Sequence, residues 1–309
     1  MGHSTRREFI SGAAALAAAG VFCAAASGSA RAQGAAAPSR ITRPIPRTGE
    51  RLPGVGLGTA QVFDVGDDPA ERAVLAQVLR ALVDGGGTVI DTASSYGSAE
   101  EVVGALVAQA DLRSKVFIAT KTEAPDDAEM RGSLRRLESA QVDLVQLHNV
   151  HDSRQSLAAF REWKARGLCR YLGITSTFHR DFPTVESVLA REKPDFVEVD
   201  YSIDDREAEK RILPLAADVQ AAVLVALPFG RGRLFRAVRG KPLPDWSREF
   251  DAQSWAQFFL KFLLGHAAVT AVIPGTADPA HILDNLGAMR GRLPDPALRR
   301  RMVELVQSL

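Results

Sequence analysis

Short apolar runs alternate with longer amphipathic stretches along most of this chain. Runs at 55–59, 88–91, 116–120, 144–148, 171–175, 196–200, 223–226 and 271–274 are apolar at most positions and end at Gly, Pro, Asp or other polar residues. Short and punctuated in this way, they read as buried strands. Between them, apolar positions recur at helical spacing near 70–84, 99–109, 127–140, 154–166, 179–191, 206–217, 252–264 and 279–289, which predicts a helix after each strand. Two further elements frame the repeat. Residues 41–52 read as a hairpin turning at Thr48-Gly49-Glu50, and 295–309, opened by Pro294-Asp295-Pro296, read as a closing helix.

Strands that alternate with helices pair in parallel, because each helix returns the chain to the same sheet edge. Eight such units in roughly 250 residues predict an α/β fold, a closed (β/α)8 TIM barrel, over 40–309. A doubly wound open sheet is the runner-up arrangement. Its best cue is Gly54-Val55-Gly56-Leu57-Gly58, but that spacing is G-x-G-x-G and not the dinucleotide fingerprint G-x-G-x-x-G. In a barrel the chemistry collects at the C-terminal ends of the strands, so the residues that end each run carry the functional question.

Composition narrows the partners. The chain has 309 residues, 46% of them hydrophobic, and a formal net charge of +1. That balance gives no electrostatic reason to expect nucleic acid or an anionic membrane as partner. Ahead of the first strand lies a different kind of segment. Arg6-Arg7 precedes Phe9-Ile10, an Ala-dominated run covers 13–26, and Ala30-Arg31-Ala32 offers a small-residue cleavage site. These are the parts of a secretory signal, and the paired arginines resemble the twin-arginine form. Residues 1–32 are therefore expected to be an address read by the twin-arginine translocase, with export to the periplasm after cleavage near Ala32. Residues 33–39 are expected to be a flexible leader. The apolar run is short of the about 20 residues a span needs, so stable membrane anchoring is not expected. Of the two cysteines, Cys23 falls in the removed segment. Cys169 is left alone, which excludes an internal disulfide and a cysteine-based metal cage.

The most suggestive stretch is Asp91-Thr92-Ala93-Ser94-Ser95-Tyr96-Gly97, which leaves the second strand. By itself it reads as a turn. The third strand, however, runs into Lys121 and the fourth into His148. Three successive strands thus deliver an acid, a phenol, an amine and an imidazole to one rim.

These residues resemble the tetrad of the aldo-keto reductase family. Asp91 and Tyr96 stand in Asp-Thr-Ala-x-x-Tyr-Gly, Lys121 in Ala-Thr-Lys and His148 in Leu-Val-Gln-Leu-His. The resemblance implies reduction of an aldehyde or ketone, or the reverse, with a nicotinamide cofactor supplying hydride. Tyr96 would be the general acid/base, with Lys121 lowering its pKa, Asp91 orienting Lys121, and His148 holding the substrate oxygen. The substrate would be a small-molecule carbonyl compound.

The same resemblance assigns the cofactor side. Gly58 and Thr59 end the first strand there. Thr175 and Ser176 stand where the family usually has Ser and Asn, and Glu198 stands in place of its usual Gln. The stacking ring expected after the seventh strand is replaced by Ala226 or Leu227, with Phe229 the nearest aromatic. Phe229, Gly230, Arg231 and Gly232 resemble the loop over the pyrophosphate. Gly275, Thr276, His281 and Asn285 match the layout of the adenosine end. NADP(H) is the family's default cofactor, although Gly275 and His281 replace the Lys and Arg usual in NADPH-preferring members, and NAD(H) stays open. The loop at 149–153 is short, which implies an open site, and Phe229, Phe235, Trp246 and Phe250 are candidates for one apolar wall.

Three other readings compete. Lys121 could form a Schiff base, as in an aldolase-type barrel. His148 and His151 with Asp91 could hold a metal, but helical zinc pairs need i, i+4 spacing and Lys121 would repel a cation. Last, the barrel could be an exported nicotinamide-binding sensor or regulatory subunit with little turnover.

Overall fold

The computed structural model describes residues 40–309. The expected address at 1–32, its cysteine Cys23 and the leader at 33–39 lie outside the described residues. A hairpin comes first, with β1 (Thr42–Pro44) antiparallel to β2 (Arg51–Pro53). The parallel sheet follows in chain order: β3 (Leu57–Gly58), β4 (Val89–Asp91), β5 (Phe117–Thr122), β6 (Val142–Leu147), β7 (Cys169–Ser176), β8 (Phe196–Asp200), β9 (Ala222–Ala226) and β10 (Val269–Val272). Parallel bridges from Val55 to Val272 and from Gly58 to Gly275 join its two ends. Sequential strand order and a joined seam make this the (β/α)8 barrel and not a doubly wound sheet.

The helices are α1 (Pro69–Asp84), α2 (Ala99–Gln109), α3 (Asp127–Arg136), α4 (Ala158–Ala165), α5 (Phe182–Glu192), α6 (Glu207–Lys210), α7 (Ile212–Asp218), α8 (Arg233–Ala237), α9 (Trp255–Leu264), α10 (Pro279–Gly287) and α11 (Pro296–Gln307). Three of them begin the same way. Asp68, Asp278 and Asp295 cap α1, α10 and α11 by accepting backbone N–H groups, each followed by a proline that has no N–H to satisfy. The helix expected at 206–217 is two helices. Pro214 cannot donate to residue 210 and its ring crowds that carbonyl, so the chain breaks at Arg211 (φ −141). Helix α8, for which no helix was expected between the strand at 223–226 and the helix at 252–264, is a further departure.

Packing divides into two shells. Outward residues such as Ile118, Val145, Ile174, Val197 and Val223 join the helices in one large core. Inside the barrel, Val89, Phe117, Leu144, Tyr171, Phe196, Ala222 and Ala271 form a second core, with Ile45 and Leu52 of the hairpin region added to it. The rings of Phe117, Tyr171 and Phe196 lie 5.6–5.9 Å apart, which adds to the burial gain. The Tyr171 hydroxyl donates to Glu50 at 2.6 Å, tying the hairpin to the barrel floor. Side chains alternate in and out along a strand, so the next inward positions are Asp91, Gln146 and Glu198, and Lys121 and Thr175 follow one inward step beyond Ala119 and Gly173. The barrel interior is thus apolar below and polar above.

Where β3 meets β10 the backbones are close. A Cβ on Gly58 would sit 2.7 Å from the carbonyl oxygen of Ile273. Backbone atoms cannot turn aside, so Gly58→Ala must push the seam apart. Its expected cost is about 1–3 kcal/mol, read as a lower denaturation midpoint at unchanged m-value. A midpoint equal to that of the native protein would show that the seam yields freely.

Candidate active site

A cavity of about 780 Å³ opens at the C-terminal ends of the strands. Asp91, Tyr96, His148, Thr175 and Glu198 all line it, so the strand-tip residues do meet. Tyr96 is carried on a fixed loop. Thr92 N–H donates to Ala119 and Ser94 N–H to Lys121, which bonds the loop to β5. Asp64 accepts from the backbone and hydroxyl of Ser98 at 2.8 and 2.9 Å, which pins the far side of the tyrosine turn.

Below the cavity lies a buried charge cluster. Lys121 Nζ is 2.5 Å from Asp91 Oδ2, 3.1 Å from the Thr92 carbonyl and 3.4 Å from Glu198 Oε1, and its side chain is 0% exposed. Glu198 Oε2 accepts from Gln146 Nε2 at 2.6 Å. The ammonium lies 5.1 Å from the centroid of the Tyr96 ring. Burial disfavours the charge on Lys121, but the Asp91 and Glu198 carboxylates outweigh it and raise the pKa above the ordinary lysine value. Burial, then the neighbouring Glu198, raise the Asp91 carboxyl well above its ordinary range despite Lys121.

Tyr96 corrects an expectation. Its pKa is pushed up to about 12, not down, with burial the leading cause. Lys121 does pull it lower, but Asp91 and Glu198 push the other way. The fourth member, His148, stands edge-on to the Tyr96 ring at 5.7 Å. Its Nδ1 faces Glu123 Oε1 at 2.6 Å and Ser95 Oγ at 3.3 Å, leaving Nε2 as the nitrogen without an assigned partner on the described residues. Burial, then Lys121, lower the pKa of His148, while Glu123 raises it. His151 faces the carbonyl of Asn149, a neighbour on its own loop.

The expected cofactor residues separate into three groups. Gly58, Thr175, Glu198, Phe229, Arg231, Gly232 and Gly275 line the main cavity. Phe229 and Gly275 also line a second cavity of about 330 Å³, together with Thr276, His281 and Asn285. Thr59, Ser176 and Gly230 line neither. The Thr59 hydroxyl donates to the Asp91 carbonyl, and the Ser176 hydroxyl lies between Asp181 and the Phe178 N–H, so both are spent on the frame. Gly230, Arg231 and Gly232 are consecutive left-handed residues (φ 54, 53 and 80) and turn the chain sharply over the cavity rim. The proposed apolar wall is smaller than expected. Phe229 and Phe235 pack at 4.7 Å beside the cavities, whereas Trp246 and Phe250 pack on Phe258 in the helical shell.

Sequence reasoning missed Glu123, Gln146 and Asp64. Gln146 sits inside the quoted Leu-Val-Gln-Leu run, two residues before His148, and strand alternation already places it inward. Glu123 follows Lys121 by two residues, but nothing local says that it meets His148. Cys169 offers no chemistry here, since burial pushes its thiol up to about 12.

Comparison with known proteins agrees with this geometry. A model of the Aldo/keto reductase family matches residues 54–300. Methylglyoxal reductase YeaE of Escherichia coli is 29% identical over 253 residues, which is 78% of this chain and 87% of that protein. A crystal structure of an aldo-keto reductase from Klebsiella pneumoniae in complex with NADPH superposes with a TM-score of 0.72 at 26% identity, covering 87% of this chain and 95% of that one. A second structure from Klebsiella pneumoniae, an aldo/keto reductase in complex with NADP and acetate, gives 0.68 at 25% identity over 84% and 93%.

The Glu123–His148 contact makes a titration prediction. A carboxylate beside an imidazole favours the imidazolium, so Glu123→Gln should lower the His148 midpoint further. Imidazole proton resonances followed against pH, with His148→Gln for assignment, measure it. A midpoint that stays put or rises would mean Glu123 is too solvated to matter.

Proposed function

The chain belongs to the aldo/keto reductase family, and from that premise we propose that it reduces an aldehyde or ketone with NADP(H), Tyr96 acting as the proton donor. The observation that carries this reading is the buried Lys121–Asp91 pair lying directly under Tyr96, with His148 beside it on the same cavity wall. The bound dinucleotide supplies hydride to the carbonyl carbon. The protein supplies the rest. Tyr96 presents its O–H to the carbonyl oxygen, and a phenol held protonated at neutral pH is suited to give that proton. His148 Nε2 contacts the same oxygen and fixes its approach. Lys121 stays charged, so the phenolate left after transfer has a cation beneath it.

The cavities fit such a cofactor. They are two lobes that share Phe229 and Gly275, as the two halves of a dinucleotide require. Thr175 and Glu198 line the lobe beside Tyr96, Arg231 stands at the rim where a pyrophosphate would pass, and Asn285 is buried in the adenosine lobe. The preference for NADP(H) rests on the neighbours that bind it. Among the residues lining the second lobe, His281 is the one that can become cationic, so NADH is a fair competitor in any assay.

The Schiff-base reading fares worse. A nucleophilic amine must be free and neutral, whereas Lys121 is enclosed and held charged by two carboxylates. Binding of the dinucleotide without turnover on a broad aldehyde panel would instead point to the sensor or regulatory reading. We also propose that residues 1–32 export the folded protein through the twin-arginine route to the periplasm.

Two experiments test these readings. Tyr96→Phe should bind reduced dinucleotide normally, by fluorescence quenching, and oxidise it about 10²–10⁴ times more slowly with a reactive aromatic aldehyde. A near-native rate would sink the role of Tyr96. Changing both Arg6 and Arg7 to Lys should hold the protein in the cytoplasmic fraction. Periplasmic recovery of that variant would exclude the twin-arginine route.

A further inference from the structure

Two oxygen groups meet the same nitrogen of His148. Its Nδ1 lies 2.6 Å from Glu123 Oε1 and 3.3 Å from Ser95 Oγ. Glu123 stands half-exposed just beyond β5, and Ser95 is on the tyrosine loop. Burial raises the Glu123 carboxyl, but hydrogen bonds from Ser95 and His148 outweigh it and hold it below its ordinary value, so it is ionised at neutral pH. An ionised carboxylate has lone pairs and no proton to give. A bare Nδ1 at 2.6 Å from it would set two lone pairs against each other. Nδ1 therefore carries a proton and donates to Glu123, whether the ring is neutral or charged. The proton that His148 gains and loses is then the one on Nε2, and His148 lines the main cavity.

We propose that Glu123 is a positioning residue which locks neutral His148 in the Nδ1–H tautomer, so that His148 can donate to a carbonyl oxygen only as the imidazolium. This rests on the carbonyl-reductase reading. A carbonyl oxygen accepts hydrogen bonds and gives none, so a neutral ring with a bare Nε2 meets it lone pair to lone pair. The imidazolium instead offers Nε2–H in a charge-assisted bond, which strengthens as negative charge gathers on that oxygen. The charged and titratable groups that face the ring are Tyr96 on the loop after β4, Lys121 on β5, Glu123 beyond it and Glu198 on β8, with His151 on its own loop near Glu123. Burial, then Lys121, hold the His148 midpoint below the ordinary imidazole value. The donor is present below that midpoint and is lost as pH rises through it. Tyr96 stays a phenol throughout that range, so the two groups lose their protons in separate windows.

Ring nitrogen resonances of the isotope-labelled protein, without dinucleotide, read the tautomer directly. Protonated and bare imidazole nitrogens differ widely in shift, and His148→Gln identifies the signals of this ring. Above the His148 midpoint, the native protein should show a protonated Nδ1 and a bare Nε2. Glu123→Ala should move the proton to Nε2, since the freed Ser95 hydroxyl then donates to Nδ1. Alanine is the exchange to use, because the amide of a glutamine can still accept from Nδ1. Ser95→Ala should leave the native pattern in place. With turnover, kcat/KM for aldehyde reduction in the native protein should fall about tenfold per pH unit above the midpoint, whereas in Glu123→Ala it should hardly change over the same range. A bare Nδ1 with a protonated Nε2 in the native protein overturns the proposal, and so does a native rate that stays level across the midpoint. An unchanged pattern in folded Glu123→Ala overturns it as well. Should that variant not fold, Glu123→Leu removes the same acceptor and is judged the same way. The Nδ1–H pattern with no turnover at any pH would uphold the tautomer lock while sinking the reductase reading on which its consequence depends.

Discussion

The contact between the Lys121 ammonium and the Asp91 carboxylate is the constraint to which the upper barrel answers. Desolvating two ions costs several kcal/mol each before their attraction returns any of it. The pair is tolerable only because it is enclosed and well bonded: Nζ also reaches the Thr92 carbonyl and Glu198. Strand register brings these groups together. Asp91 lies beside Ala119 on β5, Lys121 beside Gln146 on β6, and Glu198 beside Thr175 on β7. Because inward positions repeat every two residues, slipping any of these strands by one would turn its polar group into the helical shell.

The lower barrel supplies the rigidity that this arrangement needs. Phe117, Tyr171 and Phe196 fill the floor as a ring cluster, and the hairpin region closes it with Ile45 and Leu52. Phe117, Val89 and Phe196 are on the very strands that carry Lys121, Asp91 and Glu198. Tight packing below therefore fixes the backbone from which the charged side chains rise. The loops have their own fastenings. Glu129 accepts from Ser94 and from the Glu123 backbone, so the tyrosine loop and the loop after β5 share one carboxylate.

The barrel and most of the tetrad were legible because they depend on local pattern. Strand and helix periods give the architecture, and a residue at a strand end needs no distant partner to be placed on the rim. What was illegible depends on pairs. Glu123 meets His148 across 25 residues and Gln146 meets Glu198 across 52, and no spacing rule announces either. The rings of 228–250 were illegible for another reason: helix α8 and the turn at Asp245–Phe250 decide which face the cavity and which face Phe258, and neither element shows in a short apolar pattern. The same limit explains Tyr96. Asp91, Lys121 and Tyr96 were all visible, and with them alone a lowered phenol pKa is the sensible expectation. The sign turned on burial, which leads the shift, with Asp91 and then Glu198 opposing Lys121.

Glu198 also shows how a barrel absorbs an exchange that looks disruptive in one dimension. An acid in place of an amide at a dry position should be costly by itself. Here it arrives opposite an ammonium and beside an amide donor, so each of its oxygens has a favourable neighbour. What remains is not an unpaired charge but a redistributed one. The strain falls on Asp91, whose carboxyl is pushed upward, and on Tyr96, whose proton is held more tightly. The site keeps its shape and changes its proton affinity.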